Sequence, residues 1–172
     1  MLKQTMTYSA AVLAAAMMAV PIAAAQNAEP EVLNLTACGP SINSIVRTEN
    51  VPSVTNSVAF VLVPNAIQGF TVPAGATRCV KVLFTAKAAC RGPAAVGDFC
   101  YIRATINGVE MLPQGAGFRT FLSEDATENA HAYQWVRRVG AGNQVVRIER
   151  RVGNAATSFL LDDWSFDVQI YN

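Results

Sequence analysis

The chain has 172 residues, of which 13 are basic, 12 acidic and one histidine; 52% are apolar and only 15% charged. That length fits one ordinary domain, and the apolar content excludes a largely disordered chain. Lys3 is the only charge before residue 26, so the remaining 147 residues carry 12 basic and 12 acidic groups, a neutral balance that argues against a general nucleic-acid binder.

Residues 1–9 hold one positive charge, and residues 10–24 run almost wholly apolar through Val12, Leu13, Met17, Met18, Val20 and Ile22, with Pro21 breaking the run near its end. Ala23-Ala24-Ala25 supplies a small-x-small cleavage site. A positive end, a short apolar core and small residues make a secretory signal, cut before Gln26. A membrane anchor needs about 20 uninterrupted apolar residues, more than this run supplies. The expected organisation is a signal peptide over 1–25, a flexible leader over 26–31 and a single domain over 32–172, with no membrane span in the mature chain. The expected location is secreted or periplasmic.

Export changes the meaning of the cysteines. Cys38, Cys79, Cys90 and Cys100 are an even set, and in an oxidising compartment two disulfides are the default. Four cysteines allow three connectivities. Cys90–Cys100 is favoured because the segment between them is a turn-rich loop joining two strands; Cys38–Cys79 then follows. A zinc site would need CxxC-type spacing or more histidines than the one present.

Along the domain the hydrophobic period is two. Residues 58–63 are wholly apolar and suit a central strand. Val80, Val82 and Phe84 alternate with Cys79, Lys81 and Leu83. Tyr101–Ile106 leads into Asn107-Gly108 and then Val109–Leu112; Asn-Gly between such runs marks a type I′ hairpin, whose central residues need positive φ. Tyr133, Trp135, Arg137 and Val139 share one face, Gly140–Asn143 makes a turn, and Val146, Ile148, Arg150 and Val152 continue that face on the returning strand. Trp164, Phe166, Val168 and Ile170 form a last apolar row that demands a covering layer. The best helical candidate, residues 122–132, gives a turn or two at most, so the cover is a second sheet. The expected fold is an all-β antiparallel β-sandwich or jelly roll of eight to ten strands.

Three segments carry a resemblance. Phe70–Gly75 precedes the strand Val80–Thr85, Tyr101–Leu112 is a strand–Asn-Gly–strand unit ending at Pro113, and Val139–Ile148 is followed by Leu160–Trp164 and a final strand. This order resembles a loose group of exported bacterial β-sandwich domains and, more distantly, is similar to the C1q/TNF-type jelly roll. The resemblance covers roughly residues 57–172. Its motifs mark turns and core positions, so it carries over no catalytic or ligand residue; the C1q-like likeness implies a trimer.

Candidate sites are few. His131 is the sole histidine, and no Gly-x-Ser-x-Gly elbow accompanies it. Glu124, Asp125 and Glu128 put several oxygens in a short stretch that could hold Ca²⁺, although the spacing is not that of an EF-hand; no other cofactor is expected. Asp162-Asp163 stands before the last strand. With Glu149 or Glu110 one of them could form a hydrolytic carboxylate pair, which needs a separation of about 5–9.5 Å. Arg138, Arg147 and Arg151 share the outer face of the expected Gly140 hairpin, with Arg137 and Arg150 near its rim; such a strip attracts phosphate, sulfate or carboxylate. Phe118, Arg119 and Phe121 follow a Gly-rich turn, where loop aromatics can stack on sugars.

These observations lead to an exported, non-enzymatic binding or interaction module for a glycan or another cell-envelope component. The alternatives are a structural subunit forming a homo-oligomer and a small carboxylate-dependent hydrolase.

Overall fold

The computed structural model describes residues 38–93, 99–115, 119–123 and 125–172. The expected signal peptide and leader lie outside these residues, as do Phe118 and Glu124. Among the described residues there are ten strands and no helix: β1 (Ser41–Glu49), β2 (Ser53–Thr55), β3 (Val61–Val72), β4 (Arg78–Arg91), β5 (Phe99–Ile106), β6 (Val109–Glu110), β7 (Thr120–Ser123), β8 (Asp125–Val139), β9 (Gly142–Val152) and β10 (Ser158–Tyr171). Of the stretch over 122–132, residues 122–123 belong to β7 and 125–132 to β8 and are not helical, because β8 pairs along β4 through most of its length.

Two antiparallel sheets form a sandwich. The first runs β1-β10-β4-β8, with β2 also on β10; the second runs β3-β9-β5-β6, with β7 also on β5. β1 and β2 pair with successive stretches of β10, so they act as one interrupted strand, and β6 and β7 do the same on β5. Eight strands result, and every connection but the β5–β6 hairpin crosses between sheets, which is the interleaving of a jelly roll. That hairpin turns at Asn107-Gly108, with φ of 50° and 79°, as the sequence requires.

Two expectations about the course of the chain change first. Gly140-Ala141 does not close a hairpin: β8 lies in the first sheet and β9 in the second, so the turn carries the chain across the sandwich. The apolar run 58–63 is not a central strand. Only Val61–Val63 belong to β3, which is the terminal strand of its sheet, and Val58 and Leu62 are exposed. Pro64 lacks an N–H and Asn65 sits at φ 64°; the register breaks between Leu62 and Ile67, which confines the strand to an edge.

The core is the meeting of the two inner faces. Trp164, Phe166, Val168 and Ile170 are buried from β10, Val80, Val82 and Phe84 from β4, and Val146, Ile148 and Val152 from β9. Each such side chain contributes about 1.5–3 kcal/mol. Phe84 sits at the centre, with ring centroids 5.9 Å from Trp164 and 6.1 Å from Phe121. In β10 the inward residues step from Leu161 to Trp164, three positions rather than two. The extra residue is absorbed by a bulge at Asp162-Asp163, where Asp163 takes φ 44°. The acidic pair is therefore inside the last strand, not ahead of it.

The disulfides are Cys38–Cys79 and Cys90–Cys100, and no described cysteine is free. Cys90 is on β4 and Cys100 on β5, so the second bond ties the two sheets together. No helix among the described residues is long and apolar enough to cross a membrane.

Candidate functional site

The densest array of charge and rings lies on the outer face of the second sheet. Alternation along β9 buries Val146, Ile148, Arg150 and Val152, so Arg147, Glu149 and Arg151 point outward. On the neighbouring β5, Tyr101 and Arg103 point the same way, opposite Arg151 and Glu149 respectively. Cross-strand neighbours lie about 4.5–5.5 Å apart, so the register alone makes an ion pair: Arg103 Nε and Nη2 each lie 2.7 Å from Glu149 Oε2.

Two further segments complete the face. Glu110 on β6 receives both Nε and Nη2 of Arg119 and lies 3.9 Å from Arg103; its backbone oxygen accepts from Arg137 Nη1 at 2.6 Å. The hydrogen bond to Glu110 raises the pKa of Arg119. Phe60, from the link between β2 and β3, lays its ring among three guanidinium groups: Arg103 is 4.0 Å, Arg151 5.3 Å and Arg119 5.7 Å from its centroid. Arg151 also lies 4.1 Å from the Tyr101 centroid. These are cation–π distances.

Leaving out Arg137, which comes from β8 of the other sheet and reaches only the Glu110 backbone oxygen, four arginines face two glutamates among the described residues. The glutamates are engaged by Arg103 and Arg119. Arg151 donates only to a backbone oxygen, Val152 O at 3.2 Å, and exposed Arg147 has no hydrogen bond or ion pair among the described residues. The surplus positive charge is carried by these two, about 13 Å apart along an extended strand. Phe99 adds an exposed ring 6.2 Å from Tyr101.

Of the residues singled out from the sequence, Arg119, Arg147 and Arg151 come together here. Arg138 does not: it belongs to β8, in the other sheet, beside Thr77, Arg78 and Asn172 in a shallow hollow. Phe121 is not a surface loop residue; it is 7% exposed and packs on Phe84, Phe159 and His131. Arg150 is not at a rim; it is 2% exposed, and burial pulls its pKa down to about 10. Phe60, Tyr101 and Arg103 were not singled out. The alternation of Tyr101 and Arg103 with buried Cys100, Ile102 and Ala104 is the signal that finds two of them.

Glu128 accepts from Lys87 at 2.9 Å and Arg91 at 3.1 Å, which hold its carboxyl below the ordinary range, the Lys87 hydrogen bond contributing most. Asp125 pairs with Cys90 in the ladder. No group of three or more metal-ligating side chains occurs among the described residues. Asp162 and Asp163 sit on the bulge of the first sheet, and Glu110 and Glu149 on the outer face of the second, so the structure does not bring these carboxylates together.

No family model matches the chain, and no curated protein matches it.

Proposed function

We propose that this protein is an exported binding module that holds an acidic carbohydrate of the cell envelope on the outer face of its second sheet. One observation carries the reading: Arg147 and Arg151 point outward without a carboxylate partner, and Arg151 lies against the Phe60 and Tyr101 rings. Arginine suits sulfate, phosphate or carboxylate because its planar fork donates two parallel hydrogen bonds. A separation of about 13 Å suits a polymer bearing repeated anionic groups better than one small ion. Tyr101 and Phe99 offer apolar surface for sugar rings. Export is supported by the signal-like segment over residues 1–25 and by cysteines that are all paired.

Affinity electrophoresis tests it. The protein migrates through gels containing polygalacturonate or neutral dextran. Retardation is expected with polygalacturonate alone, and less of it at high salt. Arg147→Ala with Arg151→Ala weakens retention roughly ten- to thirty-fold, about 1 kcal/mol for each exposed charge. Equal mobility of the unmodified protein in both gels ends the proposal.

A further inference from the structure

The edge made by β1 and β2 differs from the edges made by β3 and β8. Both strands pair only with β10, so among the described residues their far side presents unpaired N–H and C=O groups. Such edges normally carry a guard. β3 has Pro64 and left-handed Asn65, and β8 is bridged by Leu112, whose N–H and C=O both bond to Val136. β1 itself has neither Pro nor Lys, Pro52 falling in the break before β2, and it is exposed along most of its length. Ile42, Val46, Val51 and Val54, exposed by 49–62%, follow one another along this edge. They are four of the nine large apolar side chains exposed among the described residues.

The same stretch is complementary to itself. Set antiparallel to a second copy about Thr48, residues 41–55 place Ile42 opposite Val54, Ile45 opposite Val51 and Arg47 opposite Glu49. A two-fold axis makes each of these pairs twice, as an isologous contact requires. The two charges are available for it. Arg47 donates to the neutral Gln68 side chain, and Glu49 accepts only from neutral donors: Asn65 and the N–H groups of Asn50 and Val51. Opposite charges facing across strands favour pairing, and like charges oppose it.

We propose that two copies of this chain associate through this edge, antiparallel about Thr48, joining their first sheets side by side. The ladder forms in pieces because Asn50–Pro52 interrupts the edge: Arg47–Glu49 pairs at the centre, and Ser41–Asn43 pairs with Ser53–Thr55 of the other copy at each end. The face bearing Arg147 and Arg151 is on the other sheet and stays open, so this contact does not depend on what that face binds.

Sedimentation equilibrium of the purified protein reads the result. A dimer is expected. Arg47→Glu alone sets like charges at the axis and weakens association at least ten-fold; Glu49→Arg alone does the same; the double exchange Arg47→Glu with Glu49→Arg restores it. Val46→Lys, at a position outside the core, guards the edge and gives a monomer with an unchanged circular dichroism spectrum. A monomer at every concentration, a trimer, or a dimer indifferent to both single reversals and to Val46→Lys overturns the proposal.

Discussion

Arg150 and Arg151 are consecutive on β9 and grip one segment from opposite sides. Arg150 points between the sheets, where Nη1 donates to Ser53 O at 2.8 Å and, more weakly, to Phe159 O at 3.4 Å. Arg151 points outward to the Phe60 ring. Beside them, Val152 N donates to Ser57 O at 2.9 Å. Alternation along one strand thus ties residues 53–60 at three points, and this link carries Phe60 onto the arginine face.

The two effects of Arg150 oppose each other. Burial of its charge, seen in a pKa drawn down to about 10, costs about 3 kcal/mol. Its removal leaves the Ser53 carbonyl without its donor, at about 1–3 kcal/mol, and an Ala side chain adds the cost of a cavity. Arg150→Met keeps the bulk and removes the charge, so its denaturation midpoint stays close to that of the parent. Arg150→Ala loses about 2–3 kcal/mol. In both variants the Val152 amide exchanges faster. Equal losses in the two variants would mean that the guanidinium hydrogen bonds, not the packed volume, dominate.

Cys90–Cys100 joins β4 to β5 across the sandwich with a sequence separation of 10, and Cys38–Cys79 closes 41. In the chain-entropy model these contribute about 3 and about 4 kcal/mol. Cys90→Ala with Cys100→Ala lowers stability to urea by about that first amount. Mass spectrometry of unreduced peptides finds Cys90 linked to Cys100 and no free thiol. A peptide linking Cys90 to Cys79 would contradict the pairing.

What could be read from the sequence was local. The row Trp164–Ile170 announced its buried face, Asn107-Gly108 its turn, and the cysteine loop its bond. The sheet each strand joins was not legible, because Gly140-Ala141 looks the same whether the chain folds back or crosses over. Arg150 shows a different failure: alternation placed it inward, but its charge argued for a rim, and the carbonyls that accept its hydrogen bonds come from distant Ser53 and Phe159. The arginine face was half legible. Arg147 and Arg151 follow from period two on one strand; Phe60 and Arg119 reach them from separate segments through contacts that no local pattern encodes.

Gly108 isolates a backbone effect. At φ 79° an added Cβ meets nothing within 4 Å, so Gly108→Ala costs only the left-handed conformation, about 1–2 kcal/mol. Gly140 is equally uncrowded and lacks a positive φ in that range, so Gly140→Ala changes stability by less than about 0.5 kcal/mol. Paired urea titrations measure the difference. Similar effects at both sites would indicate that the turn at Asn107-Gly108 is not held left-handed.

Glu128 sets an acid limb for stability. Its carboxyl is held below the ordinary value of 4.5, first by the Lys87 hydrogen bond. A carboxylate with a lowered folded pKa stabilises above its unfolded pKa and loses that contribution as pH falls through the folded value. Lys87 is raised above 10.5, chiefly by the same hydrogen bond; its contribution is present below that value and lost as pH rises through its folded pKa. The pair therefore contributes at a constant level between about pH 5 and 10 and fades on both sides. Lys87 is exposed and Glu128 partly exposed to solvent, and salt screens them, so the effect is small. Glu128→Gln is expected to lower the urea midpoint at neutral pH and to match the parent in strong acid, where the parent carboxyl is also uncharged. A gap that stayed constant down to about pH 2 would assign the loss to the shape of the side chain and remove the ion pair from the account.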